Sequence, residues 1–168
     1  MIDPNQEIFV GQGDAAHVVR VLLRLGSAVI AGGILGFERE LEHKRAGVRT
    51  HMLVALGAAL FTLLPSEMGL DPTRVIQGIA TGIGFIGAGT IFKLTEQQEV
   101  RGLTTAAGIW VTAAVGTFMG AGLLWPVLLT VALAWTIMMW LNRLEGWFKQ
   151  RRPTRIESLE RPAKEPGS

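Results

Sequence analysis

The sequence contains no cysteine. That removes disulfide bridges, thiolate metal sites and a cysteine nucleophile. Charge is scarce as well. Asp, Glu, Lys and Arg make up 18% of the 168 residues, against about 25% in soluble domains. Catalytic signatures are missing too. There is no H-E-x-x-H zinc motif and no G-x-S-x-G elbow. Of the four serines only Ser27 falls inside a predicted span, and His17, His43 and His51 are scattered over an outer segment and a loop. No G-x-x-x-x-G-K-[ST] occurs, which excludes ATP-driven transport by this chain alone. No acid lies deep in an apolar run, so a carboxylate relay of the pump type is not visible. Together these absences point away from an enzyme and away from a resident cofactor.

Apolar surface is abundant instead. The hydrophobic fraction is 49% before the 21 glycines are counted, where soluble domains reach about 45–50% with glycine included. A soluble globule this small could not hide so much. From Gly102 to Asn142 there are 41 consecutive residues without Asp, Glu, Lys or Arg. A bilayer core takes about 20 residues per helix, so this run reads as two spans meeting near Gly120-Ala121-Gly122. Trp125 and Trp140 flank the second at interfacial depth. Val75–Phe92 adds 18 uncharged residues and Thr50–Ser66 adds 17. The first span is the weakest. Leu25–Phe37 is only 13 residues and crosses only if extended back to about Val18, taking in Arg20 and Arg24. A signal peptide fits worse, because acids precede the run and Glu38-Arg39-Glu40 follows it. The expected fold class is therefore all-α, a polytopic membrane protein with five transmembrane helices. The expected domains are a short extracytoplasmic segment 1–17, a membrane domain 18–142 and a charged, largely disordered tail 143–168.

Basic residues set the orientation. Glu38–Arg49, Lys93–Arg101 and the tail together hold thirteen Lys and Arg, whereas the alternate loops hold only Arg74. Five spans then leave the N-terminus outside and the C-terminus in the cytoplasm. The bilayer is the first partner, and nothing points to nucleic acid.

Glycine has two readings. Gly32-x3-Gly36, Gly78-x3-Gly82 and Gly116-x3-Gly120 put small residues one turn apart, where helices approach closely in lipid. A tight bundle or a homo-oligomer follows. Gly82-Ile-Gly-Phe-Ile-Gly87 matches the dinucleotide pattern G-x-G-x-x-G, but no strand precedes it and no acid follows about 20 residues on. Gly82, Gly84, Gly87 and Gly89 are read as packing or bending positions. Trp110, two turns into its span, is read as packing too.

The densest charge lies in the elbow Gly36–Thr50. Glu40 and Lys44 are spaced i, i+4 in the favourable order, and Gly47 is placed to end the helix. Glu38 is the carboxylate nearest the hydrocarbon. It has no basic residue at i+3 or i+4, so Arg49 and Arg101 are its expected partners. It is also the one weak candidate for holding magnesium, which keeps most of its waters and takes one or two carboxylates. Thr104 and Thr105 are placed to cap the fourth span. Glu38, Arg39, Glu40, Lys44, Arg49, Thr50, Arg101, Thr104 and Thr105 form the expected polar site at the cytoplasmic surface. Arg20 and Arg24 are intramembrane, with Arg24 directed at Asp14, Glu67 or Asp71.

The chain resembles the MgtC/SapB family of bacterial inner-membrane proteins. The resemblance rests on Gly-x-Glu-Arg-Glu at 36–40, Lys44-x-Ala-Gly-Val-Arg-Thr50, Gly82-Ile-Gly-Phe-Ile-Gly-Ala-Gly89 and Val100-Arg-Gly-Leu-Thr-Thr-Ala-Ala-Gly-Ile-Trp110. It implies a five-helix membrane domain and a link to low magnesium, acid stress or intracellular survival. It further implies regulation of another membrane protein, with a passive cation pathway as the alternative and magnesium as ligand or signal. The longer type carries a soluble C-terminal domain, for which this sequence leaves no room.

The topology is checked by single cysteines placed at Glu67 and Gln97, since the chain has none of its own. They should label from opposite sides of the membrane, Glu67 from outside. Labelling of both from one side contradicts the orientation.

Overall fold

A computed structural model describes residues 14–94 and 99–150. Of the expected outer segment 1–17 and disordered tail 143–168, residues 1–13 and 151–168 lie outside the described residues, whereas 15–17 and 143–150 are helical. Five helices follow one another: α1 (Ala15–Leu41), α2 (Val48–Glu67), α3 (Thr73–Thr90), α4 (Leu103–Gly120) and α5 (Leu124–Gln150). The expected all-α architecture is the one observed. One small addition was not expected. Between α3 and α4, β1 (Phe92–Leu94) pairs antiparallel with β2 (Glu99–Arg101), Lys93 opposite Val100. Gly102 closes this ribbon with φ 96°, and a side chain there would collide with the Thr90 carbonyl. Only glycine both adopts that backbone and lets the ribbon return against the end of α3.

Among the described residues, three helices are long and apolar enough to cross a bilayer: α1, α2 and α4. The sequence ranks the first span weakest, yet α1 is one of these. Arg20 and Arg24 occupy its beginning and leave a long apolar stretch beyond. α3 has 18 residues, but Arg74, Gln77 and five glycines dilute its apolarity. In α5 the apolar stretch runs Leu124–Trp140, with Pro126 in the first turn, where no helical hydrogen bond is lost.

α2 is the centre. α1 and α4 both pack along it and touch each other, α3 leans mainly on α4, and α5 lies against α1 and α4. The contacts are set by what is missing from the side chains. A Cβ on Gly32 would stand 2.6 Å from the His51 carbonyl oxygen, and one on Gly36 would stand 2.7 Å from Val48 Cα. On α4, Gly116 and Gly120 lie directly against the Ala55 and Ala59 carbonyls. Ala28, Ala31, Leu35, Val115 and Met119 fill the space around these seams. Two of the three glycine pairs therefore pack within the chain. The third does not: Gly78, Gly82, Gly84 and Gly89 meet nothing in the described chain, and Gly87 makes ordinary contact with Ala106.

Two threonines inside this core satisfy their hydroxyls within their own helices. Thr62 and Thr112 are fully buried, and each hydroxyl donates to the carbonyl one turn back, at Ala58 and Gly108. At the other end of the bundle, His17 Nε2 meets Glu67 at 2.8 Å and joins the start of α1 to the end of α2. Asp71 accepts bonds from the Thr73 hydroxyl and backbone N–H, which holds its carboxyl below the usual carboxylate range. Arg24 is corrected here. Its Nη1 points at the Gly120 carbonyl, 3.4 Å away, and its guanidinium lies over Gly122. A helix C-terminus favours a cation, and Glu67 and Asp71 have nearer partners. Arg20 is exposed.

Gly116→Leu should abolish the α2–α4 contact. Overpacking of even a methylene or two costs about 1–3 kcal/mol, and here the obstacle is backbone. The variant should lose monodisperse behaviour in size-exclusion chromatography, while Gly82→Leu should elute as the parent does. Equal tolerance at both positions contradicts this packing.

Candidate functional site

The polar junction is built where α1 ends, α2 begins and α4 passes. Glu38 and Arg39 lie in the last turn of α1, which ends at Leu41. Both lie on the face carrying Ala28, Ala31, Gly32 and Leu35, and both are buried, Arg39 to 1% exposure. Arg39 Nε donates to Glu38 Oε2 at 2.7 Å, and its Nη2 approaches Oε1 at 3.4 Å. Glu38 thus has a countercharge in its chain neighbour, a residue that i+3 and i+4 spacing does not single out. Adjacent side chains on a helix do not face each other, but the long guanidinium stem folds back along the helix. A charge-assisted pair with two contacts results.

The elbow beyond α1 also differs from expectation. Gly47 does not end that helix. It precedes α2, and a Cβ on it would strike the Glu40 carboxylate. Glu40 Oε2 accepts the Val48 backbone N–H at 3.1 Å, so Glu40 supplies a cap that the first turn of α2 otherwise lacks. Lys44 reaches Glu42 at 3.8 Å rather than Glu40.

His51 is the residue that sequence reasoning missed. It was set aside with two other histidines as scattered. The structure buries it completely in the first turn of α2, between Gly36 of α1 and Gly108 of α4. Its Nδ1 lies 3.0 Å from the Gly47 carbonyl, and both Glu38 and Arg39 lie within electrostatic reach. The signal was available. His51, Ala55, Ala58, Ala59 and Thr62 recur at helical spacing, which places His51 on the buried face of α2.

The remaining expected residues divide. Thr105 is buried in the α4 seam, and Thr50 is half-buried. Arg49, Arg101 and Thr104 are exposed at the same end. The threonines do not cap α4. That helix starts at Leu103 with Gly102 as its cap residue and no side-chain cap bond, so both hydroxyls fall inside the first turn. Trp110 is half exposed and lines an apolar groove of about 290 Å³ with Ile79, Ile83, Thr117 and Phe118. Among the described residues no three His, Asp or Glu side chains cluster as metal ligands. Chemically the junction is an ion pair with a histidine beside it, enclosed by three helices.

The sequence model of the MgtC family matches residues 25–147. Protein MgtC of Brucella abortus is 53% identical over 102 residues, covering 60% of this chain and 42% of that protein. In Escherichia coli the "Putative magnesium transporter YhiD" is 46% identical over 112 residues, covering 61% of this chain and 51% of that protein. Protein SrpB of Synechococcus elongatus is 36% identical over 179 residues, covering 89% of this chain and 96% of that protein. The chain thus spans about half or less of the Brucella and Escherichia relatives and nearly all of the Synechococcus one. No solved structure matches.

Breaking the Glu38–Arg39 pair should cost more than replacing it. Glu38→Ala leaves a buried guanidinium uncompensated and should destabilise the protein by about 3–5 kcal/mol, whereas a hydrophobic replacement of both partners is often close to neutral. Thermal unfolding in detergent, followed by circular dichroism, should show Glu38→Ala melting far below the double variant Glu38→Met, Arg39→Met. A Glu38→Ala melt at the parent temperature removes the pair from the account.

Proposed function

The chain belongs to the MgtC family, and from that premise we propose that it is a magnesium-linked, multi-pass protein of the bacterial inner membrane that regulates a membrane partner and catalyses no reaction. Its N-terminus faces outward and its C-terminus lies in the cytoplasm. Low magnesium or acid stress is the setting in which it acts.

The observation that carries this reading is the state of Glu38. A carboxylate meant to pass or hold magnesium must present free oxygen lone pairs to the ion. Glu38 instead directs both oxygens toward Arg39, inside a junction buried by three helices. The seams around it support the same view. α1, α2 and α4 approach one another closely at Gly32, Gly36, Gly116 and Gly120. Exposed charge at this end, such as Arg49, is then placed to meet another protein or anionic headgroups.

A passive cation pathway is the second reading. It is favoured by the outward glycines Gly78, Gly82, Gly84 and Gly89 of α3, where a second copy could pack and frame a path outside the single bundle.

Purified protein in liposomes loaded with a magnesium-sensitive dye separates the two. Regulation predicts dye signals matching empty liposomes, together with a specific membrane protein recovered after mild crosslinking in cells. Magnesium influx that depends on the protein overturns the regulatory reading.

A further inference from the structure

Two nitrogen atoms in the junction are buried without a hydrogen-bond partner, Arg39 Nη1 and His51 Nε2. Their residues are 1% and 0% exposed. Elsewhere in the core, hydroxyls such as those of Thr62 and Thr112 have found a carbonyl, so these two stand out. An unmade bond on a buried polar group costs about 1–3 kcal/mol.

The two atoms are chemically complementary. A carbonyl only accepts, so the contact of His51 Nδ1 with Gly47 places the ring hydrogen on Nδ1. In the neutral ring Nε2 is then a lone pair, an acceptor. Arg39 Nη1 can only donate. They belong to neighbouring turns of two helices in direct contact: His51 packs on Gly36, one turn before Arg39. Gly108 of α4 contributes the third wall, since a Cβ there would come to 3.5 Å from Nε2.

We propose that this junction is a binding site for one small neutral molecule carrying both a donor and an acceptor, namely a water molecule that accepts from Arg39 Nη1 and donates to His51 Nε2. Charged ligands suit the site less well. A cation would face the Arg39 guanidinium, and an anion would face the Nε2 lone pair and the Glu38 carboxylate. Buried waters of this kind bridge groups that the protein cannot satisfy directly and are costly to remove. The bridge would tie the end of α1 to the start of α2 beneath α4. It rests on the geometry alone and stands or falls separately from the regulatory reading.

The test uses the full chain in lipid nanodiscs at pH 7.5, carrying His17→Gln and His43→Gln so that His51 is the single histidine left. Both replaced residues lie outside the junction, which avoids disturbing its fold. With 15N-histidine labelling, solid-state NMR should report a bare Nε2 and a protonated Nδ1. Magnetisation transfer from water should reach the His51 ring. A ring protonated at Nε2 overturns the proposal, and so does a bare Nε2 that receives no transfer from water.

Discussion

The contact that the rest of this molecule depends on is the approach of α2 to α1 and α4 at backbone distance. In lipid the hydrophobic effect does not drive helices together, so packing must come from close van der Waals contact and satisfied polar groups. Gly32 and Gly36 on one side and Gly116 and Gly120 on the other remove the side chains that would prevent it. Ala55 and Ala59 present small surfaces from α2 to α4. Backbone carbonyls of α2 then lie against the neighbouring helices, and the three helices behave as one unit. α3, with most of its glycines facing outward, joins through α4.

Close approach has a consequence at the end of that unit. Helices this near one another leave little room for solvent, and the residues at the elbow have to be polar to begin the next loop. Arg39 and His51 sit on the packed faces and are enclosed with Glu38. A buried charge needs its counter-ion close by. For Arg39 the preceding residue supplies one, and the pair forms within α1. Glu40, one position on, turns outward and serves the start of α2. The roles of Glu38, Arg39, Glu40 and His51 thus follow from which way each residue faces.

Much of this was legible in the sequence. Charge-free runs located the helices because a bilayer imposes length and apolarity together. The pairs Gly32/Gly36 and Gly116/Gly120 marked real seams, but the Gly78/Gly82 pair looks the same in sequence and faces outward. Spacing reveals that a face is smooth and not what lies against it. Helical i+3 and i+4 spacing does not reveal Arg39 as a partner of Glu38, because it leaves out the reach of an arginine. Arg24 was assigned an acid when a helix terminus served, since carbonyls carry no signal in a sequence. His51 is easily passed over as one of three scattered histidines, yet its period with Ala55, Ala59 and Thr62 marks it as interior. The hairpin at 92–101 was invisible beside the helices, being two three-residue strands.

The central claim is that α1, α2 and α4 form one tightly joined unit to which α3 is attached. Residue-resolved hydrogen exchange in detergent measures it most directly, because backbone amides in the most stable unit exchange only when that unit opens as a whole. The account predicts the slowest exchange, with a common opening free energy, for amides near Gly36, Ala55 and Gly116, and clearly faster exchange along α3. Protection in α3 equal to that in α2 and α4, or fast exchange at Ala55 and Gly116, would contradict it.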